Sequence, residues 1–346
     1  MKINVKSILK YLIILAATVI LLWLSLNSIH TTDGQSKIGF ILDVLEIANK
    51  PLMLLSAFIA ILSHLIRAER WRLLLKPLQH EVRLRDSFTS VMVGYFVNLL
   101  IPRGGELSRC YNLFRLKKTP INVSFGTVIV ERVVDIMFLF TLISISFFIE
   151  LDTLLEFFST LNLNSNSSKP FPFQTVLIVG IAILLFAYIF WRLLLSRKRT
   201  SVLRIFVKFR ELFKGIKEGV KAIIKLEKRG LFILYSFLIW FCYYLMSYLV
   251  MMAFPDTSSL TLLAALTIFV IGGIAMAVPL PGGAGSYHVL VPAGLVFLYA
   301  IPQDKAVAFT VIFHGWQTIV IILVGAASLL YTQYKAKHRI YGKDRG

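Results

Sequence analysis

Charge is scarce in this sequence, and negative charge scarcer still. Of 346 residues 16% are charged, with 18 Asp and Glu set against 37 Lys and Arg. Soluble domains carry about a quarter charged residues, so the composition argues against a soluble enzyme with one anchor. Cysteine is nearly missing: only Cys110 and Cys242 occur. One falls in a basic segment and the other in an apolar one, which argues against a disulfide between them. No Cys/His or carboxylate spacing suggests a metal site. No Ser-His-Asp arrangement and no nucleotide-binding glycine loop is readable, so neither metal nor cofactor is expected. Nor is any stretch long and polar enough for a separate soluble catalytic domain. The whole chain, 1–346, reads as a single transmembrane domain.

What is abundant is apolar sequence, 57% of the residues, with a mean hydropathy of +0.77. Several runs approach or exceed the ~20 residues that span a hydrocarbon core of ~30 Å. Backbone polar groups must be satisfied internally there, as they are in a helix. The predicted fold is therefore all-α and polytopic. The formal charge of +19 does not point to nucleic acid, because 32 of the 37 basic residues fall in five segments, 1–10, 67–85, 103–118, 192–229 and 335–346. Assigning these to one face satisfies the positive-inside rule, with both termini cytosolic and the inner membrane as the location.

In chain order, the first span covers about Tyr11 to Ile29 and reads as uncleaved. Residues 38–49 place Ile38, Ile41, Leu42 and Leu45 on one face, as a short interfacial helix. Pro51 opens a second span returning to the cytosol near Arg67. Here His64, Arg67 and Trp71 read as interfacial anchors, with the arginines snorkelling to headgroups. Residues 86–102 are apolar yet flanked by positive charge on both sides, which predicts a re-entrant hairpin. Spans follow at 122–149 and 173–191, with a basic amphipathic helix at about 201–229. After a span at 231–253, residues 261–300 descend, break at a Pro/Gly run and return, and 306–331 crosses last. The total is about six full spans plus two broken re-entrant hairpins, compatible with an inverted repeat of the kind that places a binding site where broken helices meet.

Three clusters stand out against this background. The first, Asn98 to Arg109, sets Arg103, Glu106 and Arg109 beside the helix breakers Pro102, Gly104 and Gly105. In the second, Glu131, Arg132 and Asp135 lie inside an apolar run, Glu131 being about 13 Å along a helix from Asn122. Each unpaired charge near a bilayer centre costs roughly 2.5–3.5 kcal/mol, so these residues are expected to be neutralised by Arg103, Glu106 and Arg109. Arg132 can also pair with Asp135 at i,i+3. The network either pins hairpin to helix or leaves an arginine free for an anionic phosphate; both readings stand at this point. The third cluster runs from Pro279 to His288. Gly282, Gly283 and Gly285 allow backbone N–H groups to face a cavity, and a helix starting near Ser286 offers a positive dipole end. His288 follows as a hydrogen-bonding or proton-linked residue, while His314 and Gln317 read as interhelical partners.

Gly94-Tyr95-Phe96-Val97-Asn98, Pro102-Arg103-Gly104-Gly105-Glu106 with Arg109, Glu131-Arg132 with Asp135, and Pro281-Gly282-Gly283 with Gly285 occur in this order. Together, over nearly the whole chain, they resemble the transmembrane flippase-like domain of the lysylphosphatidylglycerol synthase family, in its stand-alone form. The resemblance implies lipid transport without synthesis. Arg103, Glu106, Arg109, Glu131, Arg132 and Asp135 would then line a headgroup cavity. The chain departs from many relatives in having Ser286-Tyr287-His288 where an acidic residue follows the glycine turn, so the lipid itself cannot be transferred. The expected activity is binding and translocation of a phosphate-bearing lipid, an anionic phospholipid or a polyprenyl-phosphate type, with a homo-oligomer allowed. The alternatives are a membrane transferase using Glu106 or Asp135 as base, and a scaffold whose charges serve packing alone.

Overall fold

A computed structural model describes residues 5–29, 35–152 and 226–341. The chain divides into two compact units, 1–149 with 214–346, and 150–213. Only 150–152 of the second are described, so the expected span at 173–191 and nearly all of the amphipathic helix at 201–229 lie outside the described residues. These contain eleven α-helices, two 3-10 turns and no strand, as an all-α membrane fold requires. By length and composition, Lys50–Leu78, Arg229–Ala253 and Gln303–Lys337 are apolar enough to cross a membrane.

Helix α1 is Val5–Asn27 and α2 is Lys37–Glu46. Helix α3, Lys50–Leu75, starts where the Asn49 side chain accepts from the Leu52 amide and Pro51 takes a first-turn position, both favourable N-terminal choices. It runs unbroken past Arg67. Helices α4, Leu84–Leu100, and α5, Gly105–Lys117, form the first hairpin. Ile101 before Pro102 is extended, as the proline demands, and Arg103 adopts φ +58°. The limbs are antiparallel: Asn98 accepts from the Gly105 amide at 2.7 Å, and Asn112 donates to Ser90 at 3.1 Å. A methyl carbon at Gly105 would sit 2.2 Å from the Gly94 carbonyl oxygen, so this approach requires glycine. The hairpin is thus longer than the apolar run 86–102, and its returning limb is the polar stretch 105–117.

Helix α6 is Ile121–Ile149 and α7 is Arg229–Ala253. Helix α7 lies antiparallel to α3, joined at one end by Asn49 N–H to Ala253 O at 2.8 Å and further along by Arg70 to Ser236 at 3.0 Å. A one-turn helix α8, Pro255–Ser258, leads to α9, Leu262–Ala277, and α10, Ser286–Tyr299, which form the second hairpin. Its tip holds Gly282, Gly283 and Gly285 at positive φ, where a side chain is disfavoured. Helix α11, Gln303–Tyr341, closes the chain.

Helix α11 orders the two hairpins. From its start, Gln303 reaches Ser28 just past α1, His314 meets the second hairpin's tip at Gly282, Gly325 abuts Met92 and Phe96 of the first, and Lys335 pairs with Asp86 at its base. The hairpins therefore enter from opposite ends of α11 and meet tip to tip. There Arg103 donates to Ala277 O at 3.3 Å, and Leu99 packs on Gly282. Each hairpin has its own core, Val91, Cys110 and Leu113 against Trp71 and Leu75 in one, Ile268, Tyr287 and Leu295 against Phe309 and Phe313 in the other. Outward-facing Phe140 (70% exposed), Phe148 (72%) and Leu323 (65%) suit lipid rather than water.

Candidate functional site: a buried ion network beside an amphipathic cavity

Helical periodicity brings charges from three helices together. On α6, Glu131 and Asp135 are one turn apart; on α3, Arg67 and Arg70 share a face; on α5, Glu106 and Arg109 do the same. Glu131 meets Arg109 at 2.8 Å and Arg70 at 3.3 Å. Asp135 meets Arg67 at 2.8 Å, Arg70 at 2.9 Å and Arg132 at 3.7 Å. Arg132 reaches back to Glu106 at 3.2 Å. Arg67, Arg70, Arg109, Glu131 and Asp135 are all buried. The Arg109 guanidinium carbon stands 3.7 Å over the Trp71 ring, and Trp71 donates to Thr127 at 2.9 Å. A buried charge without a partner is prohibitively costly; this interlock is how four arginines and three carboxylates share one interior site. The sum is one positive charge in excess.

That excess faces a hollow. A cavity of about 390 Å³ opens between α3, α4, α6, α7, α9, α10 and α11. Its polar end holds His64, Arg67, Tyr95, Arg132, Asp135 and Tyr243, and its other walls are apolar, with Ile136, Leu139, Met246, Phe269 and Ile321 among them. Tyr243 accepts from Arg67 Nε at 3.3 Å and lies 3.0 Å from the Tyr95 hydroxyl, so the tyrosines hold the Arg67 head in place. Arg132, whose side chain is 40% exposed, is the accessible cation. It also borders a small cleft with Asn98, Gly105 and Glu106. A hollow with a charged end and an apolar end fits an amphiphile.

Sequence-predicted residues divide into two groups. Glu106, Arg109, Glu131, Arg132 and Asp135 come together as one network. Arg103 does not join it: at the exposed tip of the first hairpin it bonds the second. Asn98 caps α5. Gly282, Gly283, Gly285 and His288 build the second hairpin's tip, where the His288 ring meets His314 at 4.8 Å and the His288 carbonyl accepts from Ser25 at 2.6 Å. Helix α10 begins at Ser286 as expected, with α1 packed over Gly285 through Leu21 and Thr18. His314 donates to Gly282 O at 3.0 Å, an interhelical bond as anticipated.

The reading of His64, Arg67 and Trp71 as interfacial anchors is corrected. All three are buried, because α3 continues as one helix well beyond Arg67 and packs this stretch against α6 and α7. Arg70, Tyr95 and Tyr243 escaped sequence reasoning; the one available signal was that two unpartnered carboxylates on α6 outnumber the basic partners their own helix supplies.

These features can be set beside known proteins. Residues 7–325 match the family described as "Lysylphosphatidylglycerol synthase TM region". The chain belongs to this family. Among curated proteins it is similar to the UPF0104 membrane protein MJ1595 of Methanocaldococcus jannaschii, 35% identical over 114 residues, which is 32% of this chain and 34% of that relative. The match thus spans about a third of the curated relative's length. No solved structure matches. The family match and the apolar helices make this a membrane protein.

Proposed function

We propose that the protein binds a phosphate-bearing lipid in the amphipathic cavity and moves its headgroup across the inner membrane, with both termini cytosolic. The supporting observation is the charge count of the network: four arginines against three carboxylates, with Arg132 40% exposed and lining the cavity. A phosphate oxygen there would compete with Glu106 and Asp135 for the Arg132 guanidinium, a planar group matched to bidentate phosphate contacts. The apolar walls would accept the first methylenes of the chains, and the meeting hairpin tips would close the far side. The family's name supports a role with lipids and supplies no substrate for this chain.

Native mass spectrometry of gently purified protein tests the proposal. An anionic phosphate lipid should be retained, and Arg132→Gln should lower its occupancy about tenfold or more, since a hydrogen bond to a charged group contributes about 1.5–3 kcal/mol. A wild-type chain that retains no anionic lipid overturns the reading. A packing-only role for the charges makes a different prediction: Arg132→Gln would then lower stability without changing how much anionic lipid is retained.

A further inference from the structure

A second hollow lies away from the ion network, and no lining residue is common to the two. It measures about 860 Å³ and is bounded by the last turns of α3, the turn from Lys76 to Arg83, Lys117 at the end of α5 and the chain entering α7. Its wall is held by the fold itself. Gln79 takes a left-handed backbone, the His80 amide bonds back to Leu75 O at 3.2 Å, and Val82 is buried. Arg72 is clamped on two edges: Nε donates to Val82 O at 2.6 Å, and Nη1 pairs with Glu69. That leaves its Nη2 without a partner among the described residues, on a side chain 34% exposed. Lys76, Arg83 and Lys228 are exposed on the same rim, with no ion pair among the described residues. With Lys117, five cations line the hollow against the three carboxylates Glu69, Glu81 and Glu227, which leaves two positive charges in excess. The positive-inside rule asks for basic residues near such an end. It asks neither for their convergence on one hollow nor for an arginine held rigid there.

We propose that this hollow is a second anion site, which takes a doubly ionised phosphate group against the free edge of Arg72, with Lys76, Arg83 and Lys228 closing around it. A guanidinium already oriented by two bonds loses little freedom on meeting a third partner, and its planar fork matches phosphate oxygens. A phosphate monoester or a pyrophosphate answers two charges in excess, whereas a lone carboxylate leaves one of them unanswered. Ile233 and Leu234 of α7, exposed and apolar, follow Lys228 by little more than a turn. The hollow therefore borders the lipid-facing surface, and a free phosphate and one carried on a lipid headgroup are two sources of the same chemistry. The site is independent of the lipid reading of the first cavity. Once filled, it ties the ends of α3, α5 and α7 together.

The test is lysine footprinting of the full chain in phosphatidylcholine nanodiscs. Acetylation of Lys76 and Lys228 is read by mass spectrometry, with Lys118, exposed and outside the hollow, as the control. Inorganic pyrophosphate at ten times its Kd should slow acetylation of both lysines about tenfold by mass action, with Lys118 unchanged and sodium chloride of equal ionic strength without effect. Arg72→Lys keeps the charge and loses the fork, and should raise the half-protecting concentration about tenfold. Arg83→Gln breaks no ion pair among the described residues and should raise it about threefold. A second set of discs replaces part of the phosphatidylcholine with phosphatidic acid and omits pyrophosphate. Protection by pyrophosphate alone assigns a soluble ligand, and protection by phosphatidic acid assigns a lipid headgroup. Protection in neither arm overturns the site. So does protection that chloride reproduces, that Lys118 shares, or that both variants leave unaltered.

Discussion

The two hairpins solve one problem by opposite means. The first, α4 with α5, carries seven charged residues between Leu84 and Lys117; it is fastened through Arg109 and Glu106 to α6 and through Asp86 to Lys335, and Asp86 also pairs with Lys117 across its own two limbs. The second, α9 with α10, has no Asp, Glu, Lys or Arg between Leu262 and Tyr299. It is held by close packing at Gly272 and Gly294, by Ser286 donating to Ala275 O at 2.8 Å, and by His314. An ion-locked element resists displacement until its partners move together. One held by packing and a few neutral hydrogen bonds meets lower barriers. The contrast is one of fastening: ion pairs hold the first hairpin, and packing with neutral hydrogen bonds holds the second.

The largest expected effect lies on the ion-locked side. Glu131→Ala leaves Arg109 buried without its carboxylate and Arg70 with only Asp135, and should cost about 3–5 kcal/mol, as measured by unfolding in mixed micelles. No substitution of a charge can do this in the second hairpin, and a comparable loss there from any polar residue would break the contrast. Next comes backbone contact. Gly105→Ala drives a methyl group into the Gly94 carbonyl oxygen at 2.2 Å and should destabilise by about 1–3 kcal/mol. Its counterpart Gly272→Ala meets a side-chain atom, the edge of the Tyr287 ring at 2.9 Å, and no backbone atom, so its loss should be smaller in the same assay. Smaller again, His314→Phe removes one bond to Gly282 O and should cost about 1 kcal/mol, with faster amide exchange confined to the second hairpin's tip. Smallest is Arg103→Gly. It gives up one exposed bond but relieves a left-handed backbone at a non-glycine residue, so stability should stay within about 0.5 kcal/mol. A large loss would mean that the tip contact holds the hairpins together more firmly than the ion network does.

The same contrast explains what could be read from sequence. Glu131, Arg132 and Asp135 were legible because charge inside an apolar run has to be answered somewhere, and the proline and glycines after Asn98 marked the turn that brings the answer. Arg67 and Arg70 were not. They stand where an apolar run gives way to a basic segment beside a tryptophan, the usual appearance of snorkelling residues. Only the unbroken course of α3 against α6, some sixty residues away in sequence, distinguishes a buried arginine from an anchoring one. Arg103 fails in the other direction: it shares a motif with Arg109, yet a positive φ at the tip turns it toward the second hairpin. Tyr243 and Trp240 carried no signal, and Tyr95 none beyond its place in a motif, since aromatic residues in apolar helices are ordinary core.

Helix α11 doubles as a depth gauge. The two marks made by Gln303 near α1 and Lys335 at Asp86 are separated by about 48 Å of helix at 1.5 Å per residue, against ~30 Å of hydrocarbon. Gln317, Val320 and Ile321, which line the cavity, fall almost halfway between those marks. If the helix stands evenly across the bilayer, an ion held there has roughly equal distances to travel to either water layer, and neither leaflet is favoured by position alone.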